Sequence, residues 1–272
     1  MNMQRYFIYL KYDGTNYHGW QRQPNGISVE EAVENALTTV LRNKTDITGA
    51  GRTDAGVHAY MMVAHFDHEG IIDTSQLTYR LNRILPRDIS IDKVVAVDNE
   101  LHARFSATAR TYHYYIHHNK NPFLRTYSWH IPFSPDYELM NKAAAYLLEV
   151  KDFGAFCKAG SDVKTTLCDV TEAHWQMLEE GRWCFVITAN RFLRNMVRAI
   201  VGTLMDVGRH RITIEDFKRI IKDGKRTQAG ESVPGHALFL QDIKYQDNST
   251  LPYPSDGDRW FGSKVDCWEL RS

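Results

Sequence analysis

One feature of the sequence constrains the fold more than any other: the same order of strand and helix signals occurs twice along the chain. Short runs rich in aromatic and β-branched residues predict strands, and longer runs with apolar residues at helical spacing predict helices. The first half reads β-α-β-β-α-β, with strands at 5–12, 45–49, 57–67 and 89–97 and helices at 29–41 and 74–85. The second half repeats this order, with strands at 111–118, 165–178, 182–190 and 237–245, helices at 137–150 and 192–207, and an extra helix at 214–222.

Two successive split β-α-β units predict an α+β fold made of two ferredoxin-like halves. We expect a largely antiparallel mixed sheet with helices on one face and a cleft between the halves. The domain boundaries predicted are 1–103, 104–245 and a C-terminal extension at 246–272, where the composition changes to Asn, Ser, Pro, Gly and Asp. Topology alone leaves an alternative, in which two common folds simply follow each other.

The charge of the chain is balanced, with 33 lysines and arginines against 33 aspartates and glutamates. A global basic field is therefore excluded, and any nucleic-acid site must be a local patch. The segment 191–226 holds ten basic residues and four acidic ones. Arg191, Arg194 and Arg198 lie at spacing i, i+3 and i+7 along the predicted helix, which suits a phosphate backbone. A solvated helix face is the alternative.

Cysteine usage and hydropathy indicate a cytoplasmic protein. The four cysteines show no CxxC spacing, and no secretory segment opens the chain. Reduced thiols are the simplest interpretation, with two disulfides as the alternative. Because no run approaches 18 apolar residues, we expect no membrane-spanning helix.

The most unusual local sequence is GRTDAGVHA, residues 51–59, in the connection between the second and third predicted strands. Glycines on both sides indicate a tight backbone path that presents Asp54 at a loop tip. A presented carboxylate suits catalysis. An aspartate that only shapes a turn is the alternative, and spacing alone favours it.

The strand TYHYYIHH, residues 111–118, alternates tyrosines between its two faces. Tyrosines on a sheet usually pack in the core, but they also stack unpaired bases in sheet-based RNA readers. Arg104 and Arg110 come just before this strand and would place cations at its entrance. These residues are consistent with an RNA-binding site.

Histidines raise the hypothesis of a metal site, since they occur in two groups at His58, His65 and His68 and at His113, His117 and His118. Their spacing matches no recognised ligand set, and HExxH is absent. Neither a P-loop nor a GxGxxG motif occurs. We therefore expect neither a metal nor a nucleotide cofactor.

Four long segments together resemble the tRNA pseudouridine synthase A family. They are YDGTNYHGWQRQP (12–24), GRTDAGVHA (51–59), LHARFSATARTYHYYI (101–116) and FLRNMVRAIVGTLMDVG (192–208). The resemblance runs from about Tyr6 to Tyr245. It implies an isomerase that converts uridine to pseudouridine at positions 38–40 of the tRNA anticodon stem-loop, without metal or organic cofactor.

The resemblance also assigns roles to residues. It implies that Asp54 is the catalytic nucleophile, that Tyr112 packs against the target base, and that Arg198 pairs with the catalytic carboxylate. Arg52 falls on an arginine associated with RNA positioning. The resemblance further implies a homodimer that holds tRNA in basic clefts. Two other functions stay open from the residues alone: a non-catalytic RNA-binding module and a metal-dependent hydrolase that uses the histidines.

Overall fold

The computed structural model describes residues 3–24, 26–161 and 163–246. They form an α+β fold with one mixed, mainly antiparallel sheet and five α-helices. The strands are β1 Met3–Tyr12, β2 Thr48–Gly49, β3 His58–Glu69, β4 Ile89–Val97, β5 Ala107–His117, β6 Trp129–His130, β7 Val170–Glu179, β8 Arg182–Ala189 and β9 Leu238–Tyr245. The helices are α1 Val29–Leu41, α2 Thr74–Ile84, α3 Tyr137–Ala145, α4 Met196–Gly208 and α5 Ile214–Asp223.

The sheet repeats one strand order in its two halves. Its path is β4-β1-β3-β9-β5-β8-β7, with β2 paired to β3 and β6 paired to β5. In each half the first strand lies between the fourth and the third, as the ferredoxin-like prediction requires. The halves join where β3 and β9 pair in parallel, at His58 with Phe239 and Ala59 with Leu240. Because this pairing spans only two positions, the halves diverge beyond it.

Local sequence explains why several helices begin where they do. The Ser28 hydroxyl accepts the backbone N–H of Glu31 at the start of α1. The N-terminus of α5 carries a full capping box between Thr213 and Asp216. These caps satisfy backbone N–H groups that the first turn of a helix leaves open.

The predicted boundary of the fourth helix is wrong, and this changes the arginine pattern. The helix begins at Met196 rather than at 192, because Asn195 adopts a left-handed conformation with φ 66°. Arg191 and Arg194 therefore lie in the loop before α4, and only Arg198 is on the helix. The predicted stripe of three arginines along one helix face does not exist.

Other boundaries differ by a few residues. The strand predicted at 165–178 begins at Val170, the one predicted at 111–118 begins at Ala107, and the helix predicted at 137–150 is α-helical only to Ala145. The short strand β6 was not predicted, since two residues carry no period. On β5 the predicted alternation is confirmed: Tyr112 and Tyr114 face the main core, and Tyr115 packs in a second cluster on the other face.

One large hydrophobic cluster runs through both halves and carries most of the core. Three cysteines in the described residues, Cys157, Cys168 and Cys184, are buried free thiols. Among the described residues, no helix has both the length and the apolar character needed to cross a membrane. Apart from its first residue, the predicted C-terminal extension lies outside the described residues.

Candidate active site

The connection between β2 and β3, residues 50–57, forms the loop that carries Asp54; we call it the catalytic loop. The N–H of Val57 donates to the carbonyl of Asp54 at 3.2 Å, and Gly56 in this turn has φ 74°, which favours glycine. Gly19 lies so close to the loop that a side chain at its position would overlap the Thr53 carbonyl. Close packing of the backbone therefore fixes the path of this loop.

The side chain of Asp54 takes no part in that turn and reaches across to the second half instead. Its Oδ2 accepts a hydrogen bond from Nη1 of Arg198 at 3.1 Å. The Asp54 side chain keeps 27% of its exposure, so its carboxylate is reachable from solvent. Since the side chain does not shape the turn, the Asx-turn interpretation does not describe it.

Arg198 is held in place by a second contact on the same guanidinium. Its Nε donates to the carbonyl of Val233 at 2.7 Å, and the N–H of Val233 donates back to the carbonyl of Arg198 at 3.3 Å. With Nε fixed by a backbone group, Nη1 has one direction in which to point. The arginine therefore presents Nη1 to the Asp54 carboxylate in a fixed direction.

Tyr112 closes the same region from β5. Its side chain is buried, and its ring meets the ring of Phe192 edge to face at a centroid distance of 5.0 Å. Burial raises the pKa of the Tyr112 phenol well above its usual range, and the charge of Asp54 adds to the rise. The phenol is therefore neutral at physiological pH, which suits packing against an uncharged base.

Arg110 lies two residues before Tyr112 on the same face of β5, and it is buried rather than open to RNA. Its two terminal nitrogens donate to four backbone carbonyls at distances of 2.6–3.1 Å. These carbonyls belong to Ala50, Arg104, Ala107 and Asn190. Because both nitrogens are engaged, the structure gives Arg110 a role in holding loops together and not the phosphate contact that the sequence suggested.

Comparison with known proteins identifies the chain. The family model described as tRNA pseudouridine synthase matches residues 8–106 and 143–246, which include Asp54 and Arg198. The chain belongs to this family.

Relatives named tRNA pseudouridine synthase A support this family assignment over most of the chain. The chain is 55% identical to that of Bacteroides thetaiotaomicron over 248 residues, which cover 90% of this chain and 92% of the relative. It is 54% identical to that of Bacteroides fragilis over 246 residues, covering 90% and 98%. It is 40% identical to that of Acetivibrio thermocellus over 245 residues, covering 89% and 100%.

The other predicted arginines of this pseudouridine synthase family member lie in loops outside the helices and strands. Arg52 is on the catalytic loop, Arg104 is in the connection between the halves, and Arg191 and Arg194 precede α4. Arg52, Arg104 and Arg194 are exposed, and Arg191 is half-buried. These four arginines lie in loops and share no helix face.

A polar network that the sequence did not point to fixes the end of the catalytic loop. Nε2 of the buried His58 lies 3.0 Å from the carbonyls of Thr126 and His236, and its Nδ1 lies 3.0 Å from Oδ1 of Asp13. The Tyr127 hydroxyl donates to the other oxygen of Asp13 at 2.7 Å. No local spacing signals this network, because its members come from both halves.

The histidines of this synthase-family chain are used as hydrogen-bonding groups. Nδ1 of His65 accepts the N–H of Ala103 at 3.2 Å, and burial lowers the pKa of His65 to about 4. Nδ1 of His117 pairs with the Ser128 hydroxyl at 2.9 Å. In the parts of the chain that the structure describes, no three histidine, cysteine or carboxylate side chains gather as a metal site.

Proposed function

We propose that this protein isomerises uridine to pseudouridine in tRNA, with Asp54 as the nucleophile. The observation that carries the proposal is the contact of Asp54 with Arg198, at 3.1 Å across the two halves, within a chain of the tRNA pseudouridine synthase family. An aspartate is ordinarily ionised at neutral pH, which is the form that nucleophilic attack requires.

The reaction is an isomerisation and needs no oxidant or co-substrate. The N1–C1′ bond of uridine breaks, the uracil turns in place, and a C5–C1′ bond forms. C5 loses its proton, and N1 gains one. Attack of Asp54 on C6 of the base and attack on C1′ of the ribose both use the same carboxylate, and neither needs a metal or an organic cofactor.

Tyr112 has a clear task in this reaction. The detached uracil must stay confined while it turns, since escape would leave an abasic site. A neutral, buried phenol packed on Phe192 provides a flat wall for an uncharged base. We propose that Tyr112 is this wall and that Arg198 holds the carboxylate in its reactive direction.

The arginines in the loops are suited to bind the phosphates of an RNA substrate. A stem-loop uridine must leave its base stack, at a cost of roughly a few kcal/mol, and phosphate contacts offset that cost. We assign these contacts to Arg52, Arg104, Arg191 and Arg194, which lie in loops of both halves. We further propose that the target uridines are positions 38–40 of the anticodon stem-loop, and that the protein is a cytoplasmic homodimer.

The test uses an unmodified tRNA transcript and maps pseudouridine before and after incubation. Wild-type protein should modify positions 38–40. Asp54→Asn should lower turnover by about 10⁴-fold or more, as loss of a nucleophile does in other enzymes. Because the side chains have nearly the same shape, tRNA affinity should change little.

Two controls separate this proposal from its alternatives. Wild-type enzyme treated with a chelator should keep its turnover; loss of turnover would mean that the reaction needs a metal. If Asp54→Asn turned over normally, the nucleophile would be another group. If the wild type bound tRNA but made no pseudouridine, a non-catalytic RNA-binding module would describe it better.

A further inference from the structure

A small polar cavity lies beside the catalytic loop, and Asp54 does not line it. Its volume is about 200 Å³, and its lining includes Trp20, Glu30, Gly49, Arg52 and Arg104. We call it the Arg52 cavity. It is smaller than the roughly 300–1,000 Å³ of pockets for drug-sized ligands, and its size suits a single base. Arg198 and Tyr112 do not line it either.

Two free guanidiniums define its charge. Arg52 and Arg104 are both exposed, and neither side chain forms an ion pair or a hydrogen bond within residues 3–24, 26–161 and 163–246. The guanidinium of Arg104 lies over the ring of Phe105 at 5.7 Å from its centroid. Two like charges on one cavity repel unless an anion lies near both, and arginines bind phosphate well.

The indole of Trp20 adds a donor to the lining of the cavity. Trp20 is 1% exposed, and its indole lies against Gly49, where an added side chain would overlap the ring. An indole N–H can only donate a hydrogen bond, so it suits an acceptor atom of a ligand.

Glu30 is the acceptor among these donors. Its Oε2 accepts the backbone N–H of Arg22 at 2.8 Å, while the guanidinium of Arg22 pairs with Glu34 at 3.2 Å. The Glu30 carboxylate has no ion-pair partner in the described residues and keeps acceptor capacity. A carboxylate can only accept hydrogen bonds, so it favours a base that offers an amino group.

We propose that the Arg52 cavity binds a second nucleotide of the RNA substrate, with its phosphate on Arg52 and Arg104 and the amino group of its base on Glu30. This inference rests on the proposed function, because it takes RNA as the ligand. It adds a preference for a base with an exocyclic amino group over uracil, which has none.

The cavity is coupled to the catalytic loop through the backbone. The N–H of Trp20 donates to the carbonyl of Thr53 at 3.3 Å, next to Asp54. Arg52 itself belongs to the loop. A nucleotide seated in the cavity therefore anchors the RNA against the same segment that presents the nucleophile to the target uridine.

The test compares two probes that differ at one position of the base. CMP carries an amino group on C4 where UMP carries a carbonyl oxygen. Calorimetric titration of the full-length protein should give CMP a dissociation constant at least about tenfold lower than UMP, as one hydrogen bond to a charged group predicts. Glu30→Gln, which keeps the shape and the contact with Arg22, should abolish the preference.

Matched variants make the result specific. Glu31→Gln changes the neighbouring glutamate, which does not line the cavity, and should keep the preference; so should Asp54→Asn. Arg104→Gln should weaken both probes. Tighter binding of UMP than CMP, or a preference that survives Glu30→Gln, would overturn the inference. Failure of the proposed function is distinct: wild-type protein would then make no pseudouridine in the tRNA transcript, whatever the titrations give.

Discussion

The two halves share one strand order, but the connection between the second and third strands differs between them. In the second half, β7 has ten residues and passes to β8 through a two-residue turn at 180–181. In the first half, β2 has only two residues and is followed by the eight-residue catalytic loop, 50–57. The same topological position is therefore a plain hairpin in one half and the segment that carries Asp54 in the other.

The difference lies in what holds each connection. The hairpin turn of the second half is bonded within its own half, by the N–H of His118 to the carbonyl of Gly181 at 2.9 Å. The catalytic loop is held by the opposite half at its start, tip and end. Arg110 bonds to Ala50, Arg198 bonds to Asp54, and backbone carbonyls at Thr126 and His236 lie against His58. Because β2 is short, the connection is long enough for these contacts with the opposite half.

The start of the loop should be the most sensitive point for stability. Arg110→Gln removes donors from several buried carbonyls, each costly to leave unpaired, and we expect a loss of about 3 kcal/mol in unfolding free energy. Urea denaturation measures this loss. Arg83→Gln, on the exposed face of α2, should stay within about 0.5 kcal/mol of wild type. Equal stability of Arg110→Gln and wild type would mean that the two halves do not depend on this contact.

The tip of the loop should control turnover rather than folding. Arg198→Lys keeps the charge but loses the paired contacts to Asp54 and Val233, so we expect kcat to fall roughly 100-fold while tRNA affinity changes less than about threefold. Single-turnover kinetics with tRNA transcript separate the two quantities. Equal losses in kcat and affinity would show that Arg198 binds RNA instead of orienting the carboxylate.

The arginines around the loop should affect binding alone. Arg194→Gln should weaken tRNA binding several-fold and reduce the slope of log affinity against log salt by about one, because one phosphate contact is lost. Affinity measured across a salt series gives both numbers, and the modified position should not change. Arg80→Gln, an exposed arginine of α2, serves as the control. An unchanged salt slope for Arg194→Gln would remove that residue from the RNA contacts.

The sequence predicts those features of the two halves that are encoded by neighbouring residues. Caps and periodicity predict α1 and the strand order, and the motif around Asp54 predicts a presented carboxylate. The position of Asn195 outside α4 could not be predicted, since Phe192, Met196 and Ile200 keep helical spacing across it. Arg110 looked like a surface cation because backbone carbonyls carry no side-chain signature, and two of its four carbonyl partners, Ala50 and Asn190, are distant in sequence.

The end of the loop should show the smallest effect and a pH dependence. Burial alone would raise the pKa of Asp13, but hydrogen bonds from His58, Thr15 and Tyr127 outweigh it and hold that pKa far below its usual range. A carboxyl with a lowered folded-state pKa stabilises the fold above its unfolded-state pKa of about 3.9 and loses this contribution as the pH falls.

Tyr127→Phe removes one of these donors and should cost about 1 kcal/mol of unfolding free energy at pH 7. The difference from wild type should shrink only as the pH falls through the lowered folded-state pKa of Asp13, so it should be nearly the same at pH 7 and at pH 3. Denaturation at pH 7 and at pH 3 measures the two differences, with the exposed Tyr79→Phe as the control. A difference that grew as the pH fell would mean that Tyr127 supports the loop through a group other than Asp13.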